Sequence, residues 1–128
     1  MRRNARSHDG GIEARLERLF EAAKRWSAVW GLSRLMRDIH VEFTDVGDAA
    51  LGLCDLRRRT VTLNGVLLLP VNESLLFETL CHELAHVVVA LRYGPRTAEH
   101  GPEWEEYMEK AGFTPRAVIP RSLVVGLD

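Results

Sequence analysis

Residues Cys81–His86 read Cys-His-Glu-Leu-Ala-His, and Glu99–Trp104 read Glu-His-Gly-Pro-Glu-Trp. Two histidines four apart, with a glutamate directly after the first, make the HExxH pattern of zinc hydrolases. On a helix such residues differ by about 40° in azimuth and about one turn in height, so His82 and His86 can direct their imidazoles at one ion. Glu83 points about 100° away from His82, which lets its carboxylate reach a water beside the ion without being a ligand. Leu84, Val87 and Val88 face other sides and are expected to anchor the helix in the core.

A catalytic zinc takes three protein ligands and keeps a fourth position open, so the third ligand decides which kind of site this is. The metzincin continuation is excluded, because Val89 stands where its glycine would be and Arg92 where its histidine would be. The third donor is then His100, or Glu103 or Glu106 on a gluzincin pattern. Neutral imidazole suits zinc and Gly101 frees the backbone beside His100, which favours the histidine. A thiol-protease reading of Cys81 fails, since neighbours on a helix diverge by about 100° and Cys81 cannot pair with His82 as nucleophile and base.

Outward from the motif, Asn72 is the expected N-cap of its helix, Val71 and Leu76 a hydrophobic staple, and Tyr93-Gly94-Pro95 the stop. A polar loop leads to Pro102, which opens a short helix ending near Gly112. Upstream, Ile12, Leu16, Leu19, Phe20, Ala23, Trp26 and Trp30 form a 3.6-residue stripe that predicts an amphipathic helix closed by Gly31, with both tryptophans in the core. Ile39–Thr44 alternates as a half-buried strand. Two β-prone runs around Leu56–Arg59 predict an antiparallel hairpin from about Ala49 to Asn64, in which Gly52 weakens the strand or admits a close approach. Gly65–Pro70 is a helical turn or an apolar connection. The final stretch from Thr114, with two prolines and Leu123–Leu127, is extended; it either completes the core or covers the cleft.

The chain has 128 residues, 46% hydrophobic and 27% charged, which suits a single domain (residues 11–128) behind a disordered tail of residues 1–10. With 17 Lys+Arg against 18 Asp+Glu there is no global basic field, so any DNA contact must be weak or local. Arg57–Arg59 could touch phosphate, although a solvated hairpin tip is the simpler account. Two cysteines are too few for a disulfide framework, and reduced thiols fit a cytoplasmic protein. The amino-terminal segment lacks an apolar stretch of signal type, and no uninterrupted apolar run approaches the roughly 20 residues that span a bilayer, so no membrane partner is expected.

Taken together, Cys81–His86, Glu99–Trp104 with the following Glu105–Phe113, and the hairpin Leu51–Leu69 resemble the SprT-like metallopeptidases, the group that includes the eukaryotic DNA-protein crosslink protease Spartan. The resemblance covers about residues 16–116. It implies zinc held by His82, His86 and His100, with Glu83 as general base. Many members carry a cysteine-rich zinc module or other DNA-targeting segment, which these 128 residues lack.

The expected fold is α+β and zincin-like: an N-terminal helix, a small mainly antiparallel sheet, the long HExxH helix, and a short C-terminal helix with the last ligand at its start. The expected function is zinc-dependent endopeptidase action on protein substrates, including DNA-associated or DNA-crosslinked ones. Two alternatives are a regulatory ImmA/IrrE-like protease that cleaves one partner and a non-catalytic zinc-stabilised binding module. Tyr93, Tyr107 and Arg92 are candidate oxyanion partners by sequence proximity alone, the strand Ala49–Asp55 is a candidate substrate edge, and Trp104 is expected to pack behind the site and orient His100.

Overall fold

Leu76, Leu80, Cys81, Leu84, Ala85 and Val88 of helix α2 (Glu73–Tyr93) have no exposed surface, and Val87 is almost as deeply buried. A helix apolar on so many sides has to be enclosed. Here α1 (Arg2–Val29), a three-stranded sheet and α3 (Pro102–Lys110) enclose it. By length and composition α2 with its preceding turn could cross a bilayer, but most of its apolar window is buried inside the protein. The computed structural model describes residues 2–45 and 50–127, with side chains from Gly11 onward.

Helix α1 buries the predicted stripe, with Leu19, Ala23, Trp26 and Trp30 all in the core. Its end is a Schellman turn: Gly31 adopts φ 79° while Leu32 N–H reaches Ser27 O at 2.8 Å and Gly31 N–H reaches Ala28 O at 3.0 Å. The backbone of α1 is helical from Arg2.

The sheet comprises β1 (His40–Thr44), β2 (Gly52–Asp55) and β3 (Thr60–Asn64) in the order β1-β3-β2. The hairpin β2–β3 is antiparallel as expected, although Ala49, its expected start, lies outside the described residues. β1 pairs with β3 in parallel, His40 opposite Thr60 and Thr44 opposite Asn64. The sheet is therefore mixed rather than mainly antiparallel. A meander would have put β1 beside β2; its place on the far side of β3 makes the pairing parallel and leaves β2 at an edge.

Gly65–Leu68 and Pro70–Asn72 are two successive 3₁₀ turns leading into α2. Asn72 does not cap α2 with its side chain. Its amide instead donates to Val66 O at 2.8 Å and Val125 O at 2.9 Å and accepts from Val125 N–H at 3.0 Å. The staple is absent too, since Val71 is 66% exposed. Gly94 at φ 96° ends the helix as expected.

The C-terminal segment docks on the body. Arg116 grips Glu78 of α2 through two bonds of 2.7 and 2.8 Å, and Ile119 and Val124 are buried. It completes the core, and residues 117–121 form one border of the site described next.

Candidate metal centre

His82 and His86 lie one turn apart on the face of α2 that meets the loop before α3. His100 ends that loop, two residues ahead of Pro102, so the third histidine precedes α3 rather than riding on it. Its Nε2 stands 3.1 Å from His86 Nε2 and 3.1 Å from His82 Nε2. These three are the metal-capable group found among the described residues, with all donor atoms within 4.8 Å of one another. Glu103 and Glu106 do not join it; Glu106 pairs with Lys110 at 3.5 Å.

An Nε2 atom carries either one N–H or one in-plane lone pair, so His100 cannot make two well-directed ring bonds at once. One cation would satisfy all three lone pairs together. Tetrahedral zinc with Zn–N of about 2.0–2.1 Å separates its nitrogens by about 3.3–3.4 Å, close to the spacing found here. The His82 and His86 rings are also held in the neutral state a metal needs: burial, then the neighbouring histidines, lowers His82 to about 3, and burial, then His100, lowers His86 to about 4. The donor set fits a metal ion of zinc type.

Trp104 backs the cluster as expected. Its ring lies 4.8 Å from that of His82, 4.9 Å from that of His100 and 5.7 Å from that of His86, the last nearly parallel. Its indole N–H donates to His82 O at 3.2 Å.

Glu83, next along the helix, is 8% exposed and turns toward β2. Burial raises its carboxyl to about 7; the neighbouring Cys54 thiol pulls the other way and Glu99 adds to the rise. The Cys54 thiol is itself pushed up to about 12, first by burial and then by Glu83. Cys81 is also pushed up by burial and lies inside the core.

Two cavities flank this centre. One, of about 350 Å³, lies between Leu53, Cys54 and Leu56 on one side and the 94–100 loop on the other, with His82, Glu83 and His86 at its floor. The second, of about 270 Å³, continues past Gly52 and Glu83 to Val118, Ile119 and Arg121. Together they make a groove along β2 with the histidines midway. The Leu51–Asn64 backbone bond of 2.9 Å sets the parity of the hairpin, so the N–H and C=O of Gly52 and Cys54 face away from β3. Among the described residues no strand covers that edge.

Tyr93, Tyr107 and Arg92 do not line the groove. Tyr107 is buried against Trp30 and accepts a bond from Arg92 at 2.9 Å, so Tyr107 and Arg92 join α2, α3 and the turn after α1, while Tyr93 is exposed. Sequence reasoning gave neither the Cys54 side chain nor Glu99 a role at the site. For Cys54 a signal exists: Gly52 and Cys54 alternate on one face of a strand.

No solved structure matches the chain. It is similar to protein SprT of Escherichia fergusonii, 37% identical over 97 residues, which are 76% of this chain and 56% of that protein. It is similar to protein SprT of Escherichia coli O1:K1 / APEC as well, 38% identical over 78 residues, 61% of this chain and 46% of that protein. The chain thus spans about half the length of the curated relatives it matches. The SprT-like family pattern matches residues 16–122, a stretch that includes the three histidines, Glu83 and the strand facing them, and the chain belongs to the SprT-like family.

Proposed function

We propose that this chain is a zinc-dependent endopeptidase of zincin type, with His82, His86 and His100 as metal ligands and Glu83 as general base. One observation carries the reading: three Nε2 atoms converge beside a buried carboxylate, midway along a groove bordered by a free strand edge. Bound zinc supplies a Lewis acid that polarises a carbonyl and lowers the pKa of a water to about 7.

The residues of the chain supply the rest. An extended peptide laid along β2 would pair with the outward N–H and C=O groups of Gly52 and Cys54, which holds its scissile bond over the histidines. Glu83 can accept a proton at Oε from the attacking water and return it to the leaving amine nitrogen. The 94–100 loop and residues 117–121 wall the groove and limit solvent around Glu83.

Within this reading, proteins associated with or crosslinked to DNA are the substrate class we favour. Arg57, Arg58 and Arg59 are exposed at the tip of the hairpin whose β2 strand borders the groove, where they could meet phosphate. The free thiols Cys54 and Cys81 suit a reducing, cytoplasmic setting.

The test is metal content and X-ray absorption of the purified protein beside His100→Ala, followed by cleavage of an unfolded protein with and without single-stranded DNA. One zinc per chain with three nitrogens and an exchangeable oxygen, weakened in the variant, together with cleavage abolished by Glu83→Gln, is expected. Cleavage of one partner irrespective of DNA would favour the regulatory-protease alternative. A closed fourth coordination position and indifference to Glu83→Gln would leave a zinc-stabilised binding module.

A further inference from the structure

We propose that the groove selects its substrate by the order of charges along the peptide: Glu99 takes a lysine or arginine on the N-terminal side of the scissile bond, and Arg121 an aspartate or glutamate on the C-terminal side. The proposal rests on the peptidase reading and deepens it, since it names the kind of peptide that fits the same groove.

Each end of the groove carries its own charge. Apart from the histidines and Glu83, Glu99 is the charged residue lining the cavity of about 350 Å³, and Arg121 the one lining the cavity of about 270 Å³. Both residues are exposed, and neither forms an ion pair among the described residues. Their charges are therefore available to a ligand. Other cations near β2 do not blur the pattern: Arg57 and Arg58 line another hollow with Glu42 and Thr62, and Arg96 lines neither cavity of the groove.

The walls suit these side chains. Leu53, Leu56, Val89 and Pro95 line the Glu99 end, so a lysine or arginine can lay its aliphatic stem on apolar surface and bring its cation to the carboxylate. At the other end Val118 and Ile119 share the cavity with Arg121, whose planar fork matches a carboxylate through two parallel bonds.

Strand polarity fixes the order. β2 runs from the smaller cavity, beside residues 50–52, toward the larger one, beside Cys54 and Leu56. It is already antiparallel to β3, and an antiparallel partner is favoured on its free edge as well, because parallel pairing is slightly less stable per residue. A peptide bound that way enters past Glu99 and leaves past Arg121, with its scissile bond over the histidines between them.

The test uses two end-blocked peptides of one composition. One has lysines in its N-terminal half and glutamates in its C-terminal half; the other has the reverse order, so both have the same net charge. With the zinc-loaded protein, kcat/KM is expected to be about tenfold higher for the lysine-first peptide, each exposed pair contributing up to about fivefold. The preference should shrink in about 0.5 M salt, which screens exposed charges. Glu99→Gln and Arg121→Gln should each reduce the ratio about threefold. A general loss of activity in a variant does not enter a ratio taken within one protein. Equal rates, a preference for the glutamate-first peptide, or a ratio unaltered in either variant would overturn the proposal. The second measurement needs no turnover: NMR titration of the metal-free protein with the same peptides. The lysine-first peptide is expected to bind about fivefold more tightly and to shift the signals of residues 53–56, 94–99 and 117–121. No shift there, or equal affinity for both orders, overturns the proposal. If wild type cleaves neither peptide nor a neutral one, the peptidase reading fails while the titration still decides the charge order.

Discussion

Trp104 donates its indole N–H to the main-chain carbonyl of His82 at 3.2 Å, and the same ring stands 4.9 Å from that of His100. One side chain of α3 thereby fixes the distance between α2 and the loop that brings in the third histidine. Replacement by phenylalanine keeps an aromatic body but removes the donor. Trp104→Phe should lower stability by about 1–3 kcal/mol, from the lost bond and the vacated space. Zinc affinity should fall about tenfold, as for other groups that orient metal ligands. Denaturant titration and a competing chelator measure the two effects. Unchanged zinc affinity would mean that the histidines hold their places without the indole.

Gly52→Ala puts a methyl group into the space occupied by Thr79 Cγ2 and the Glu83 side chain. Overpacking of this kind costs about 1–3 kcal/mol. Thr79→Ser removes the methyl at 2.7 Å while keeping the hydroxyl that donates to Leu75 O. The double variant should regain much of the stability yet keep a depressed kcat, because the Glu83 contacts remain. Full recovery of kcat in the double variant would contradict that expectation.

Asn72 is buried and joins Val66 to Val125 by three bonds. Asn72→Ala leaves Val125 O and N–H without this partner, while Val66 O keeps the Leu69 N–H at 3.3 Å; the cost is about 1–3 kcal/mol for each group that water cannot reach. A total near 3 kcal/mol is expected, together with faster proteolysis at residues 117–125. The N-cap role suggested by sequence predicts a smaller loss of about 1 kcal/mol and no change in cleavage there.

The metal-free protein should lose stability in acid. His82 and His86 are lowered from 6.5 to about 3 and about 4, so the unfolded chain binds protons there first. Their contribution is complete above about pH 6.5 and is lost as pH falls toward 4. Glu83 has the opposite sign: raised from 4.5 to about 7, its contribution is complete below about pH 4.5 and is lost as pH rises through 7. Between these limits two histidines oppose one glutamate, so stability rises with pH by at most about 1.4 kcal/mol per unit, less where water screens the rings. Glu83→Gln removes the opposing group and should steepen the rise from pH 5 to 6.5. Urea denaturation at several pH values measures it, and a shallower slope in the variant would reverse the assignment.

Features set by near neighbours were legible in the sequence. The four-residue spacing of His82 and His86, the apolar surroundings of α2 and the stops at Gly31 and Gly94 are patterns within a turn or two of chain. His100 was legible because only a short loop and Pro102 separate it from two well-marked helices, which brings it back to α2. The stripe from Leu19 to Trp30 marked one core face for the same reason.

Other features depend on which distant surfaces meet. Asn72 has the residue type and position of an N-cap, yet Val66 and Val125 offer its buried amide three partners, two carbonyls and one N–H, from both sides. Nothing in Ile39–Thr44 indicates on which side of the hairpin the strand will lie. That choice makes the sheet mixed and leaves β2 open beside the histidines. Gly52 and Cys54 look like a weak strand and a plain thiol until α2 sets Glu83 against them.

By itself, then, the sequence determined the metal-capable histidines and the helices that present them, because spacing along a helix is a local property of the backbone. The packing of Glu83 against Gly52, the free edge along the groove and the clasp on the C-terminal segment were decided only by tertiary structure. Each joins residues dozens of positions apart, and each is selected by the packing of the whole chain rather than by the preference of any one segment.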